Sequence, residues 1–188
     1  MKLKIFIMIH QIIYLHIEDL KIFLINKENF LNFIQNEETI TVMIYKMKRI
    51  KKLLEIIIEN NFEKIIKESI DIYYELFIFQ IKKLIEEFPL DYTNKDGSLF
   101  WSGSKRFPRV INFNINESYC FNFVKYFSIL LAKSVKVKLI ENDNIWFFEF
   151  FDDFFKTITS SNSKILSKEE ELNEINTLKN FLNNFDNK

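Results

Sequence analysis

From Phe62 to Phe88 the apolar positions Phe62, Ile66, Ile70, Tyr73, Phe77, Ile81, Leu84 and Phe88 step by three or four, with Glu63, Lys67, Asp71, Lys82 and Glu86 among the residues between them. This spacing predicts a long amphipathic helix with one face for a core, stopped by Pro89. The same reasoning predicts a helix over Ile5 to Ile25 and a short follower over Glu28 to Gln35, with Asn26 as the cap between them. A further helix is predicted over Thr41 to Glu59, broken by Asn60-Asn61, with Lys46, Lys48, Arg49, Lys51 and Lys52 as a solvated face. Downstream, Glu117 to Ser134 predicts a helix capped by Asn116 or Ser118, Ile145 to Ile158 a very aromatic one, and Ser160 to Ser163 a linker. Ser167-Lys168-Glu169-Glu170 has the S-x-x-E form of a capping box and opens a helix to about Phe185.

Residues 89 to 116 break this pattern. Both prolines, both glycines and two of the three arginines fall there, which predicts an ordered loop with fixed turns and a short extended piece at Val110 to Phe113. The expected fold class is therefore mainly α: a single helical domain with one ordered irregular loop, about 89 to 116.

Composition changes how these residues are weighed. Ile, Lys, Phe and Asn supply 95 of 188 positions against one Ala, two Gly, two Pro and three Arg, the pattern expected of an AT-rich genome. Single Phe, Ile or Asn residues then say little, whereas Gly, Pro, Trp and Arg stand against the bias. With 26 basic and 26 acidic residues the chain has no net charge, which argues against a nucleic-acid binder working through a basic surface. Glu141 to Lys188 carries ten acidic and five basic residues, so the tail is acidic and the remainder basic by five. No apolar run reaches the ~18 to 20 residues of a membrane span. His10 and Gln11 interrupt the apolar start, and no Ala-x-Ala site follows, so a secretory leader is not expected. One cysteine cannot close an internal disulfide, which suits a reducing compartment.

Candidate chemistry is sparse. His10 and His16 are six apart, off the i, i+4 spacing of a helical metal pair, and read as packing residues, with a metal site involving Glu18 and Asp19 as the sharper alternative. Cys120 opens a helix, where the dipole favours a thiolate, but Tyr119, Phe121 and Phe123 around it point to a buried, inert thiol. Trp146 to Phe155 reads as core, with a partner- or lipid-binding stretch as the alternative. No G-x-G-x-x-G or Walker sequence occurs, so no nucleotide site is expected in this chain.

One segment stands apart: Phe100-Trp101-Ser102-Gly103-Ser104-Lys105-Arg106-Phe107-Pro108. The form F-W-S-G-x-K-R-x-P resembles a signature of the second catalytic-cysteine domain of eukaryotic ubiquitin-activating enzymes. Gln80 to Pro89 resembles that family's Q-I-x-x-L-x-x-x-F-P, and Phe113 to Asn116 with Phe123-Val124 resembles its F-D-x-N and Y-V. Ser163 to Leu172 and Glu18 to Phe33 match more loosely. The resemblance covers residues 1–188, most strongly 76–132.

The resemblance implies a portion of a ubiquitin-activating enzyme, in the pathway of ATP-dependent activation of ubiquitin or a ubiquitin-like modifier and thioester transfer. Implied partners are the modifier, an adenylation-domain chain and a conjugating enzyme; ATP and Mg are implied for the intact enzyme and none for this chain. The chain departs from the family in its nucleophile. Leu3 to Phe6 resembles the residues just after the family's cysteine, and Cys120 matches a non-catalytic position. No catalytic, cofactor or metal residue is therefore assigned, no adenylation or ubiquitin-fold domain is recognised, and the isolated chain is expected to be inactive. The signature residues Phe100, Trp101, Ser102, Gly103, Lys105, Arg106 and Pro108 are expected to be structural, with Trp101 buried where the loop crosses the 62–88 helix. A contact of Trp101, Lys105 and Arg106 with ubiquitin or the adenylation domain is the sharper reading. Rival classes are a non-catalytic helical interaction module and a peripheral membrane protein using the first helix or Trp146 to Phe155. The expected location is intracellular: cytoplasm or nucleus, or else an organelle or reduced endosymbiont compartment.

Overall fold

The computed structural model describes residues 2–37, 39–138 and 167–185. The helix expected over Ile145 to Ile158 and the linker at Ser160 to Ser163 lie outside them. Helix α1 (Lys2–Ile25) turns Ile9, Ile13, His16, Leu20 and Phe23 inward at alternating steps of three and four. At Asn26 the chain changes direction: its side chain accepts from the Asn29 N–H at 2.9 Å, and α2 (Lys27–Glu37) begins there, burying Phe30, Leu31 and Ile34.

Helix α3 (Ile40–Glu59) is capped by Thr39, whose hydroxyl accepts from the Val42 N–H at 3.4 Å. Asn60 ends it in the left-handed conformation, φ 47°, which asparagine tolerates better than most residues. Asn61 then caps α4 (Phe62–Tyr74) by accepting from the Glu63 N–H at 2.8 Å. The break expected at Asn60-Asn61 is thus one left-handed stop followed by one cap.

The long helix expected over Phe62 to Phe88 runs to Glu87, but it is not uniform. A π-helical turn, Glu75–Phe79, separates α4 from α5 (Gln80–Glu87), and the Gln80 N–H reaches back to the Glu75 carbonyl. The residue absorbed by a wide turn rotates the downstream helix by roughly 100° relative to an unbroken α-helix. The Ile81, Leu84, Phe88 stripe therefore leaves the line of Ile66, Ile70 and Tyr73, and no residue of α5 is buried.

Helix α6 (Ser118–Val135) lies against α4 and α1, and α7 (Lys168–Asn183) packs on α3. α6 starts without a side-chain cap: Glu117 holds the N-cap position, not Asn116 or Ser118. Instead Asn114 turns the chain into the helix, its side chain accepting from the Asn116 N–H at 3.0 Å. The capping box is realised in full at the other end of the chain. Ser167 accepts from the Glu170 N–H at 3.3 Å, and the Glu170 carboxylate accepts from the Ser167 N–H at 2.8 Å. Lys27 closes the far end of α7, donating to the carbonyls of Asn183 and Phe185 at 2.8 Å each.

Two polar features are buried in this helical core. Ser69 on α4 and Ser128 on α6 are fully buried with their hydroxyls 2.7 Å apart, and Ser69 donates to the Ile65 carbonyl at 2.7 Å. Between α3 and α4, Arg49 and Glu68 form an ion pair that Lys52 joins, its ammonium 2.9 Å from Glu68 and 2.8 Å from Asp71. Arg49 was expected on a solvated face; it is buried because the carboxylate of Glu68 meets it there. Its guanidinium also lies 5.0 Å from the centre of the Tyr45 ring, and the Tyr45 hydroxyl is 3.2 Å from His16 Nε2. The network thus reaches α1.

Candidate functional site

The expected irregular element occupies 88–117, and its turns can be followed bond by bond. Phe88 leaves the helix at φ −128° ahead of Pro89, and the Tyr92 N–H closes a turn on the Pro89 carbonyl at 2.9 Å. A short hairpin comes next. Thr93 and Leu99 pair in a single antiparallel bridge, the Phe100 N–H reaches the Tyr92 carbonyl at 2.9 Å, and the Asn94 N–H reaches that of Ser98 at 2.8 Å. At its tip Gly97 takes φ 81°, and Asp96 accepts from the Ser98 N–H at 3.0 Å and its hydroxyl at 2.6 Å. These bonds hold the Asp96 carboxyl below the usual carboxylate range. Val110 to Phe113, expected to be extended, makes no ladder; the paired residues are Thr93 and Leu99.

The hairpin returns Phe100 onto Phe88, ring centres 4.4 Å apart and nearly parallel, with Tyr92 edge-on to both. Trp101 stands edge-on between Phe100 and Phe107, and its indole N–H donates to the Phe88 carbonyl at 2.7 Å. That carbonyl is one of the orphans at the end of α5, so the signature tryptophan is a C-terminal cap for the helix before it. Ser102 donates to the Leu99 carbonyl at 2.8 Å, and the Lys105 N–H closes a turn on the Ser102 carbonyl at 3.1 Å. Gly103 fills that turn at φ 61°. The Lys105 ammonium sits 4.4 Å from the centre of the Phe100 ring. Lys105 and Arg106 are exposed, and Pro108 is half-buried as the chain turns back to the core.

Sequence reasoning expected Trp101 buried against the flank of the long helix. It is half-buried, and the loop docks on that helix's end, because the π-helical turn has already steered α5 away from the core. The aromatic cluster of Phe88, Tyr92, Phe100, Trp101 and Phe107 is distinct from the core residues around α4 and α6. Trp101→Ala should therefore cost about 1 to 2 kcal/mol, below the ~3 to 5 of a fully buried tryptophan, while opening the loop. Hydrogen exchange should quicken across 92–107 with the melting temperature only modestly lowered. Lys105→Ala and Arg106→Ala should leave it nearly unchanged. Global unfolding of Trp101→Ala would mean the indole is part of the core after all.

Past Pro108 the chain rejoins the core. Val110, Phe113 and Ile115 pack against it, and the Tyr73 hydroxyl donates to the Ile111 carbonyl at 3.4 Å. Cys120 is fully buried; its thiol donates to the Tyr73 oxygen at 3.1 Å and accepts from the Asn114 N–H at 3.4 Å. Burial, and then the bond to Cys120, raises the Tyr73 phenol above its ordinary range. The thiol is therefore a link between loop and core. Cys120→Ser places a hydroxyl between the same two partners and should cost only about 1 kcal/mol. A thiol reagent should modify the native protein no faster than the protein opens; rapid labelling at neutral pH would contradict the burial.

The two histidines do not converge: His10 is exposed and His16 buried. No group of three metal-type ligands forms among the described residues, and no helix among them is long and apolar enough to cross a membrane. The chemistry-bearing residues that sequence reasoning missed are Tyr73, Asn114, Glu68 and Tyr45. Their signal was weak, because one tyrosine or asparagine in so biased a composition looks like any other.

Comparison with known proteins agrees with the loop. The family described as ubiquitin-activating enzyme, SCCH domain, matches residues 8–187. Ubiquitin-activating enzyme E1 1 of Arabidopsis thaliana is 32% identical over 69 residues, 37% of this chain and 6% of the relative. Ubiquitin-like modifier-activating enzyme 6 of Homo sapiens is 35% identical over 71 residues, 38% of this chain and 7% of the relative. The chain thus matches these two relatives over only 6 to 7% of their length. With the family matched over 8–187, nearly its whole length, the chain belongs to the SCCH-domain family of ubiquitin-activating enzymes.

Proposed function

We propose that this chain, 1–188, is the catalytic-cysteine-domain portion of a ubiquitin-activating enzyme, acting where ubiquitin or a ubiquitin-like modifier is activated with ATP and passed on as a thioester. The observation that carries this reading is the signature loop, a bonded, aromatic-pinned projection on the end of α5 with Lys105 and Arg106 exposed at its turn. Such a projection presents a fixed surface to the modifier, to an adenylation-domain chain or to a conjugating enzyme.

ATP and Mg belong to the intact enzyme in this reading. Gly97 and Gly103 sit in exposed turns, neither at a helix N-terminus. The chain's one cysteine is buried and bonded to Tyr73, which speaks against its thiol as the acceptor of a modifier's C-terminus. That burial favours the second reading, a non-catalytic helical interaction module derived from the same domain.

Purified chain mixed with ATP, magnesium and ubiquitin should give no thiol-sensitive adduct on a non-reducing gel. A ubiquitin adduct that disappears in Cys120→Ser would overturn this and make Cys120 a nucleophile. Binding to an adenylation-domain chain should weaken in Lys105→Ala and Arg106→Ala at unchanged melting temperature; undiminished binding would remove the loop from the interface.

A further inference from the structure

Opposite its buried face, α1 carries a second apolar stripe. Ile7, Tyr14, Leu15, Ile22 and Ile25 are between 47% and 84% exposed. At 3.6 residues per turn they gather with Gln11 and Glu18 in a band about 100° wide. The Phe- and Ile-rich composition explains scattered apolar residues but not their collection on one side of one helix.

We infer that this stripe is a self-association surface, on which α1 packs antiparallel against α1 of a second copy of this chain. Size supports that occupant. A whole Ile, Leu or Tyr exposes ~180 to 230 Å² in an extended chain, so the five residues offer about 600 Å², and Gln11, Glu18 and their flanks bring the band near the ~800 Å² per partner of a standard interface. Complementarity supports it as well. A two-fold axis between Tyr14 and Leu15 sets Ile7 against Ile22 of the second copy, Tyr14 against its Leu15, and Gln11 against its Glu18, with Ile25 beyond the paired stretch at each end of the seam. Each Gln11 amide then donates to a carboxylate already steadied by its own Lys21, 2.7 Å away. A parallel pairing instead sets Glu18 against Glu18. An anionic membrane surface fits the band poorly, because a carboxylate lies at its centre and no run of cations flanks it.

Light scattering on the full chain between about 10 and 200 μM should report a dimer, twice 22.9 kDa. Leu15→Glu with Ile22→Glu should weaken association at least about tenfold while leaving the melting temperature of the dilute monomer unchanged. Gln11→Glu alone should also weaken it about tenfold by opposing carboxylates, and Gln11→Glu combined with Glu18→Gln should restore it. Four outcomes overturn the inference: a monomer throughout the range, a swap that does not restore the dimer, a monomer that pellets with phosphatidylserine vesicles, or a melting temperature of the dilute monomer that falls in Leu15→Glu. The last would place another segment of the same chain on that face. None of these bears on the proposed function, which concerns the signature loop.

Discussion

Replacing Glu68 with alanine is expected to cost the fold about 3 to 5 kcal/mol, because it leaves the buried Arg49 guanidinium without its counter-ion. Arg49 and Glu68 side chains are 10% and 5% exposed, so little water reaches the cation when its partner goes. Lys52 is less affected, since it keeps Asp71 at 2.8 Å and is 40% exposed. Denaturant unfolding should show the loss as a lower midpoint at nearly constant slope. The double variant Arg49→Met, Glu68→Leu should recover most of it, because the pair contributes far less than the charge it prevents from standing alone. If Glu68→Ala unfolds within about 1 kcal/mol of the parent, Arg49 finds water or another acceptor, and the network is peripheral.

That network also marks where sequence reading stopped. Periodicity placed the ends of α1, α2 and α3 within three residues, because their apolar spacing, Asn26 and Asn60-Asn61 agree locally, and the Ser167 capping box did the same for the start of α7. The same periodicity passed over the π-helical turn at Glu75–Phe79, since a stripe read at steps of three or four tolerates one extra residue. It also assigned Arg49 to solvent, because a basic run on a helix says nothing about a carboxylate on the next helix in the fold.

The signature loop was legible in a different sense. Proline, glycine, tryptophan and arginine against an AT-rich composition marked it. What the tryptophan does was not legible. Its bond to the Phe88 carbonyl depends on how α5 ends, and its half-burial depends on the π-helical turn upstream. Cys120 was rightly read as buried from its neighbours, while its bond to Tyr73 spans 47 residues of sequence that no local pattern connects.

Acid should weaken the fold through His16. Its imidazole is buried between α1 and α3, and burial, followed by the Arg49 guanidinium nearby, lowers its pKa from 6.5 to about 3. A depressed histidine pKa means that the unfolded chain takes up the proton first, so this group's effect is absent well above pH 6.5 and grows as pH falls toward about 3. At about pH 4.5 the linkage amounts to about 2 to 3 kcal/mol of lost stability from this side chain alone. His16→Gln removes the titrating group while keeping a polar partner for the Tyr45 hydroxyl. Its stability should therefore fall less between about pH 7.5 and pH 4.5 than the parent's, by about that amount. The His16 ring resonances should stay fixed across the same interval. Parallel stability profiles for parent and variant, or a ring that titrates near pH 6.5, would show that water reaches His16 and that α1 does not seal the network. Arg49→Met separates the two causes: it should raise the His16 pKa only part of the way, because burial, the larger cause, remains.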